Sequence, residues 1–406
     1  MKINTDPKII DEILSRGVSA VYPSKEELRK VLLSGKKLRI YLGADPTGTE
    51  LHLGHSKNII LLEKFRRLGH EVIMLFGDFT AMIGDPTGKL NTRVAISETD
   101  VKNNLKSWKE QISPIIEFKR FSKNGAKVVK NSKWLSKLSF GDVTKLASNF
   151  TVQQMIERDM FDKRIKEGNP IYLNEFLYPL MQGYDSVALD VDLEIGGTDQ
   201  TFNMLAGRTL LKRLKNKEKF VIAVDLVVDP KTGKKMSKSE GNFIGLKENP
   251  TDMFGKIMAL SDEFVIPVLR DCTFLPIEKI EEIEKELSNG KNPKDIKIFL
   301  AKEIIGIYHN KELADKVAND FETTFSKKEI PEDILEVEVN EKDLLSEVFL
   351  RQNVVSSKGE FARLVKEKAV THLENDKKIT DIKEVASPGT YKIGKHRFLK
   401  IKNTRS

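Results

Sequence analysis

Arg39-Ile40-Tyr41-Leu42-Gly43-Ala44-Asp45-Pro46-Thr47-Gly48-Thr49-Glu50-Leu51-His52-Leu53-Gly54-His55 is the stretch whose reading decides the fold. Its first half is an apolar run that predicts a buried strand. After it, Ile59, Ile60, Leu62, Phe65 and Leu68 recur at helical spacing, and Gly69 closes the pattern. A strand that turns tightly into a helix leaves backbone N–H groups and positive dipole potential where a phosphate can sit. Gly54 removes a side chain at that turn, so a flat ring can approach the backbone. Of the chain's six histidines two stand here, at i and i+3.

Three readings of that pair compete. Helix-start histidines on a solvated turn are the plainest. A metal pair is the second, because His at i and i+3 can share a face, but no convincing third ligand is near and Cys272 is remote. The third is a nucleotide site in which the imidazoles donate hydrogen bonds to phosphate oxygens as charge develops there.

Working outward, Val72-Ile73-Met74-Leu75-Phe76 gives a second strand, so strand, helix and strand form a β-α-β unit of a parallel sheet. Upstream, residues 7–35 are predicted as short helices. Downstream, Gly77 to Lys89 is a loop rich in small residues; Lys89 and Arg93 put basic groups beside the proposed phosphate site. Residues 97–190 are mostly helical by pattern, with strand-like Lys127-Val128-Val129 within them. In the helix predicted over 172–188, Tyr178, Gln182 and Asp185 share one face amid Leu177, Leu180 and Met181. Buried polar groups want partners, and a polar ligand supplies them. Asp192-Leu193-Glu194-Ile195 resumes the sheet, Gly196-Gly197-Thr198-Asp199-Gln200 makes another strand-to-helix turn, and Phe220-Val221-Ile222-Ala223-Val224 is one more strand. Asp199 suits ribose hydroxyls.

Beyond it lies Lys234-Lys235-Met236-Ser237-Lys238-Ser239-Glu240-Gly241, a polar loop dense in lysine. HLGH at 52–55 and KMSKS at 235–239, in that order with a parallel-sheet pattern between, resemble the two signature motifs of class I aminoacyl-tRNA synthetases. The chemistry suits the residue types. When a carboxylate attacks the α-phosphate of ATP, an anion approaches a polyanion, and a protein helps by positioning and by cationic stabilisation. Lysines on a glycine-flanked loop can close over the leaving group.

Over essentially the whole chain, YLGADPTGTELHLGH, GDPTGK, YPLMQGYD, IGGTDQTFN and KMSKS resemble the bacterial tyrosyl branch of that class in order and spacing. The resemblance implies an ATP-dependent tyrosine–tRNA ligase that forms tyrosyl-adenylate, releases pyrophosphate and transfers tyrosine to the tRNA 3′ end. By it, Tyr41 and Asp185 hold the phenol oxygen, Asp85, Tyr178 and Gln182 the ammonium, and Gln200 lies near the carboxylate. Gly43, Asp45, Thr47, His52, Gly54 and His55 face ATP, Gly197 and Asp199 the ribose, and Lys89, Arg93, Lys235 and Lys238 the pyrophosphate. ATP is a substrate accompanied by Mg²⁺, with the triphosphate as its main ligand and no protein metal site. Tyr41 donating and Asp185 accepting would satisfy both roles of a phenol hydroxyl, and a site built for that group rejects an analogue lacking it. Glu194 stands where one branch of the family has glutamine, and KMSKS places the chain in the other bacterial branch from KFGKS-type enzymes.

The implied fold is α/β: a Rossmann-like parallel-sheet catalytic domain over residues 1–245, then an α-helical anticodon-binding domain over 246–325. A linker over 326–340 leads to a small α+β RNA-binding module over 341–406, in which Lys368 replaces the usual glycine. The implied assembly is a homodimer. Rivals are a tryptophanyl enzyme, disfavoured by the Tyr41/Asp185 pair and the terminal module, and a non-catalytic RNA-binding or splicing derivative, disfavoured by intact histidines and lysines.

Composition agrees. With 406 residues, 39% hydrophobic and 32% charged, the chain has room for two or three domains and a large core. It contains no apolar run of spanning length, and the polar start Met1-Lys2-Ile3-Asn4-Thr5-Asp6 lacks the apolar core of an export signal. A single cysteine excludes an internal disulfide and suits a reducing, cytoplasmic setting. The net charge is +8, and residues 357–406 hold 13 Lys/Arg against 6 Asp/Glu. A basic end of this kind fits a polyanion, here tRNA.

Overall fold

A computed structural model describes residues 2–85, 96–119, 122–156, 159–237, 240–326, 334–340, 343–394 and 397–403. The chain forms two compact units, Met1–Ala314 and Asp315–Ser406.

The first unit is built on a six-stranded sheet. In chain order its strands are β1 (Val18–Tyr22), β2 (Arg39–Ala44), β3 (Glu71–Phe76), β4 (Lys127–Lys130), β5 (Leu193–Gly197) and β6 (Phe220–Val224). Across the sheet the order is β1-β6-β5-β2-β3-β4. All neighbours are parallel except β1, which pairs antiparallel with β6. The central strands are buried along most of their length, as helices on both faces require. From β2 the chain winds outward through β3 and β4, then returns to the other side of β2 as β5. The topological switch point therefore lies between β2 and β5, the crevice where open α/β sheets bind ligands.

β1 corrects the reading of 7–35 as helices alone. Helix Pro7–Ser15 ends at Gly17, whose φ of +63° reverses the chain, and Val-Ser-Ala-Val-Tyr is too short and too β-branched to resume a helix. Lys25–Leu33 is helical as predicted. Pro179 neither kinks nor breaks its helix: Leu177–Leu189 begins two residues earlier, in the first turn, where a missing N–H costs nothing.

Helices Pro250–Met258, Val265–Cys272, Ile277–Ser288 and Pro293–Tyr308 belong to the same compact unit as the sheet, so compactness does not break at 245. Helix Val265–Cys272 is pinned to Leu53–Arg67 by Lys57 and Asp271, 2.9 Å apart with both side chains almost fully buried. Cys272 is buried there, its Sγ donating to the Leu53 carbonyl at 3.4 Å, and burial pushes its thiol up to about 12. Among the described residues no helix is long and apolar enough to cross a membrane.

In the second unit, helices Leu345–Arg351 and Lys358–Lys366 pack with a five-stranded sheet of order β7-β11-β10-β8-β9. The strands are β7 (Glu336–Val339), β8 (Val370–His372), β9 (Lys377–Lys378), β10 (Gly389–Ile393) and β11 (Arg397–Asn403). Its core includes Leu345, Phe349, Phe361, Tyr391 and Leu399. Part of the segment read as a linker is thus a strand: Glu-Val-Glu-Val pairs in parallel with β11, where Lys400 and Lys402 meet Glu336. Lys368 has φ +54°, the left-handed turn that the usual glycine would make, with its N–H on the Val365 carbonyl.

Candidate active site

His52 caps helix Leu53–Arg67 by accepting the Gly54 N–H at its Nδ1, 3.1 Å. His55 accepts the His52 N–H at its own Nδ1, also 3.1 Å. Accepting at Nδ1 leaves the ring hydrogen of each imidazole on Nε2. The rings lie 3.8 Å apart. Desolvation by the surrounding cavity wall holds the His55 imidazole down at about 4, so it is neutral at physiological pH although the residue itself is exposed to the cavity. Gly54 is required here, because a Cβ would stand 2.8 Å from the His52 ring.

Both motifs meet at this helix end. Leu53 N–H bonds to Ile244 O at 3.1 Å and Leu246 N–H to Leu51 O at 3.0 Å, tying the segment after the lysine loop to HLGH. Met236 is buried, its N–H on the Val227 carbonyl, and its Cβ lies 3.8 Å from the site of a Gly54 Cβ. The Asn242 amide braces the loop by accepting from Ser237 N–H (2.9 Å) and donating to Lys235 O (3.3 Å). Helix Glu98–Ile112 holds the turn after β2: Asn104 donates to Pro46 O, Trp108 to Gly48 O and Gln111 to Thr49 O.

One cavity of about 540 Å³ opens at the switch point. The structure brings to its wall Tyr41, Gly43, Asp45, Thr47, His52, Gly54, His55, Asp85, Tyr178, Gln182, Asp185, Gly197, Asp199, Gln200 and Lys235. Lys89, Arg93 and Lys238 lie outside the described residues.

Its deep end is polar and buried. Tyr41 is fully buried, with its hydroxyl 3.0 Å from Ser186 Oγ. Asp185 accepts from Trp134 Nε1 at 2.7 Å and Asn131 Nδ2 at 3.3 Å. Burial pushes its carboxyl well above the usual range, against those two donors. Burial and the neighbouring Glu194 likewise push the Tyr41 phenol up. Tyr178 donates to Asp45 Oδ2 at 2.8 Å, Thr80 to Asp45 Oδ1 at 2.7 Å, and Gln200 to Asp85 Oδ2 at 2.8 Å. Asp45, expected to face ATP, thus also shares the cluster of Tyr178. Such a set of carboxylate, carbonyl and hydroxyl oxygens can receive an ammonium group.

Several residues of this site are silent in the sequence. Asn131 and Trp134 follow β4, in a stretch that shows only helix-like spacing. Lys219 sits in Lys215-Asn216-Lys217-Glu218-Lys219, which has the look of a solvated charge run, yet it is fully buried and paired with Glu194. No periodicity marks these; the rarity of tryptophan, two in the chain, is the one signal that could have drawn attention to Trp134.

Comparison with known proteins agrees with this geometry. Residues 33–326 match the family model of tRNA synthetases class I (W and Y). A tyrosine–tRNA ligase of Carboxydothermus hydrogenoformans is 46% identical over 404 residues, covering 96% of this chain and 97% of the relative. One of Haemophilus influenzae is 42% identical over 400 residues, with 98% of both chains covered. Among solved structures, a tyrosyl-tRNA synthetase from Archaeoglobus fulgidus complexed with L-tyrosine superposes with a TM-score of 0.59 at 25% identity, over 76% of this chain and 99% of that one. A C-terminally truncated mitochondrial tyrosyl-tRNA synthetase of Aspergillus nidulans gives 0.66 at 23% identity, over 78% and 94%, a likeness of fold. This chain belongs to the class I tRNA synthetases (W and Y).

Proposed function

We propose that the chain is a tyrosine–tRNA ligase. It activates tyrosine with ATP, releasing pyrophosphate, and passes the tyrosyl group to the 3′ end of its tRNA, releasing AMP. The observation that carries this reading is the cavity at the switch point. HLGH and the described part of the lysine loop stand at its wall, with Tyr41, Gln182 and Asp185 on it as well.

In the first step a carboxylate oxygen of tyrosine attacks the α-phosphorus, and the bond to the bridging oxygen of pyrophosphate breaks. Tyr41 and Asp185 take the phenol oxygen, Asp85, Tyr178 and Gln182 the ammonium, and Gln200 lies by the carboxylate. Gly43, Asp45 and Gly54 lie along the nucleotide, and Gly197 and Asp199 hold the ribose. His52 and the neutral His55 donate from Nε2, with Thr47, to oxygens on which charge grows, and Lys89, Arg93, Lys235 and Lys238 gather the leaving pyrophosphate. Mg²⁺ travels with the triphosphate as part of the substrate. In the second step a terminal tRNA hydroxyl attacks the tyrosyl carbonyl and AMP leaves.

The basic second unit supplies affinity for the tRNA polyanion. The chain acts as a cytoplasmic homodimer: Phe140, Val152 and Leu173 stand exposed between β4 and β5, apolar groups that a second copy would cover. The test is aminoacylation by the purified protein. Charging of tyrosine is expected; charging of tryptophan, or of neither, contradicts the reading.

A further inference from the structure

The turn between β2 and helix Leu53–Arg67 bears Thr47, which lines the cavity together with His52 and His55. That turn is neither strand nor helix, so its backbone groups need partners from elsewhere. One helix supplies them. Asn104, Ser107, Trp108 and Gln111 recur at i, i+3, i+4 and i+7, and so share one face of helix Glu98–Ile112. A polar face at that spacing usually lies in water, yet Asn104, Trp108 and Gln111 are buried.

The face takes the turn carbonyl by carbonyl. Asn104 Nδ2 donates to Pro46 O at 2.9 Å, Trp108 Nε1 to Gly48 O at 2.6 Å and Gln111 Nε2 to Thr49 O at 2.8 Å. Ser107 Oγ gives Thr49 O a second hydrogen at 3.0 Å, and Gln111 Oε1 accepts the Leu51 N–H at 2.8 Å. An indole N–H can only donate, and Gln111 is engaged at both ends of its amide, so neither direction is open. Within the turn the Thr47 N–H bonds to Asp45 O at 2.8 Å, and Pro46 fixes its own φ. The carbonyls on either side of Thr47, those of Pro46 and Gly48, are therefore both held by the helix. Among the described residues none hydrogen-bonds the Thr47 hydroxyl. Its direction is set by the backbone that carries it, and that backbone is set by the helix.

We propose that Asn104 and Trp108 are positioning residues for Thr47, gripping the peptides on either side of it so that its hydroxyl meets the charge that grows on the α-phosphate during tyrosine activation. The inference rests on the tyrosine-ligase reading. A donor aimed at the transition state loses its worth when it is misplaced, so loosening the grip lowers kcat and leaves ground-state binding alone. The Trp108 ring also lines the cavity, 6.3 Å from the His55 ring, so a clean replacement keeps a ring there and removes only the N–H. Phenylalanine does this.

The test is a double-mutant cycle in tyrosine-dependent pyrophosphate exchange by the intact protein, with W108F, T47A and W108F/T47A. W108F is expected to lower kcat about tenfold, the scale of one buried hydrogen bond, with KM for tyrosine and for ATP within about twofold. T47A is expected to lower kcat about 10²-fold, as the loss of one preorganised donor does. In the T47A background W108F should cost less than about twofold, because no hydroxyl remains to be misplaced. A tenfold loss that persists in that background shows the indole bond acting on something other than Thr47 and overturns the inference. A raised KM for ATP at unchanged kcat overturns it as well, making Trp108 a wall of the nucleotide site. N104L, which frees the Pro46 carbonyl, is expected to show the same non-additivity with T47A and decides the matter if W108F does not fold. A parent protein that activates no tyrosine sinks the ligase reading and this inference together; an active parent with additive losses, or with kcat unmoved in both W108F and N104L, sinks this inference alone.

Discussion

His55 shows how one side chain serves both fold and chemistry. Its Nδ1 closes the helix end by accepting the His52 N–H, and that bond dictates that Nε2 carries the hydrogen. Desolvation at the cavity wall keeps the ring uncharged down to about pH 4, whereas an unfolded histidine protonates near 6.5. The sign follows: between those values the unfolded chain binds the extra proton, so this histidine's contribution to stability is complete above 6.5 and is lost as pH falls toward 4. Nitrogen NMR at pH 6 is expected to find His55 as the neutral Nε2–H tautomer; an imidazolium at that pH would contradict the assignment. H55A is expected to slow adenylate formation by about 10²–10³, the cost of one preorganised donor, with tyrosine affinity retained. Loss of tyrosine affinity instead would move His55 into the wrong subsite. Trp134 gives a companion test, since its indole N–H donates to Asp185 alongside the Asn131 amide. W134F is expected to raise the KM for tyrosine about tenfold, the worth of a buried hydrogen bond to a carboxyl group, without a matching fall in kcat.

At the scale of elements, two joints bear most directly on the site. Helix Leu53–Arg67 is fixed at its start by the strand-like pairing of Leu51 and Leu53 with 244–246, and on its flank by Lys57 to Asp271. Removing one partner strands a buried charge, so K57M is expected to cost about 3–5 kcal/mol in denaturant unfolding, whereas the double replacement K57M/D271L should recover most of it. A K57M loss below about 1 kcal/mol would place the pair in effectively solvated surroundings. In the second unit, the left-handed turn at Lys368 is held by its position after helix Lys358–Lys366, although a lysine there costs about 1–2 kcal/mol in backbone strain. K368G is expected to relieve part of that, about 0.5–1 kcal/mol after the entropy of a freer unfolded chain is counted. A lower unfolding midpoint in K368G would show that the lysine side chain contributes more than the strain it causes.

For the whole molecule, the legible part of the sequence was what local patterning and close motif spacing encode. Arg39–Ala44 leading into HLGH announced a parallel sheet because a buried strand, a tight turn and a 3.6-period helix follow one another within 30 residues. Leu193–Gly197 and Phe220–Val224 were equally plain, and the candidate site residues that fall within the described chain line one cavity. What stayed hidden was decided by tertiary context. β1 was lost among helical signals because an edge strand of five residues has little periodicity of its own. β7 passed for a linker because its alternating Glu-Val pattern gains meaning only beside the lysines of β11. Lys219 carried no signal because nothing local distinguishes a lysine that packs against Gly207 and pairs with Glu194. The strand at 336–339 also changes where the chain should be cut. A truncation that removes residues 334 onward takes the second sheet away whole, while one beginning at 340 leaves β7 without its partner. The earlier cut is expected to preserve tyrosine-dependent pyrophosphate exchange and to weaken tRNA charging; equal loss of both would tie the second unit to folding of the first.

The chemistry stands or falls on whether two imidazoles and the lysine loop converge on one triphosphate. A crystal structure with tyrosine and a non-hydrolysable ATP analogue measures that directly. The expected result has the phenol oxygen between Tyr41 and Asp185, Nε2 of His52 and His55 within hydrogen-bond distance of phosphate oxygens, and Lys235 beside the leaving pyrophosphate. Phosphates bound away from the histidines, or a lysine loop turned from them, would contradict it.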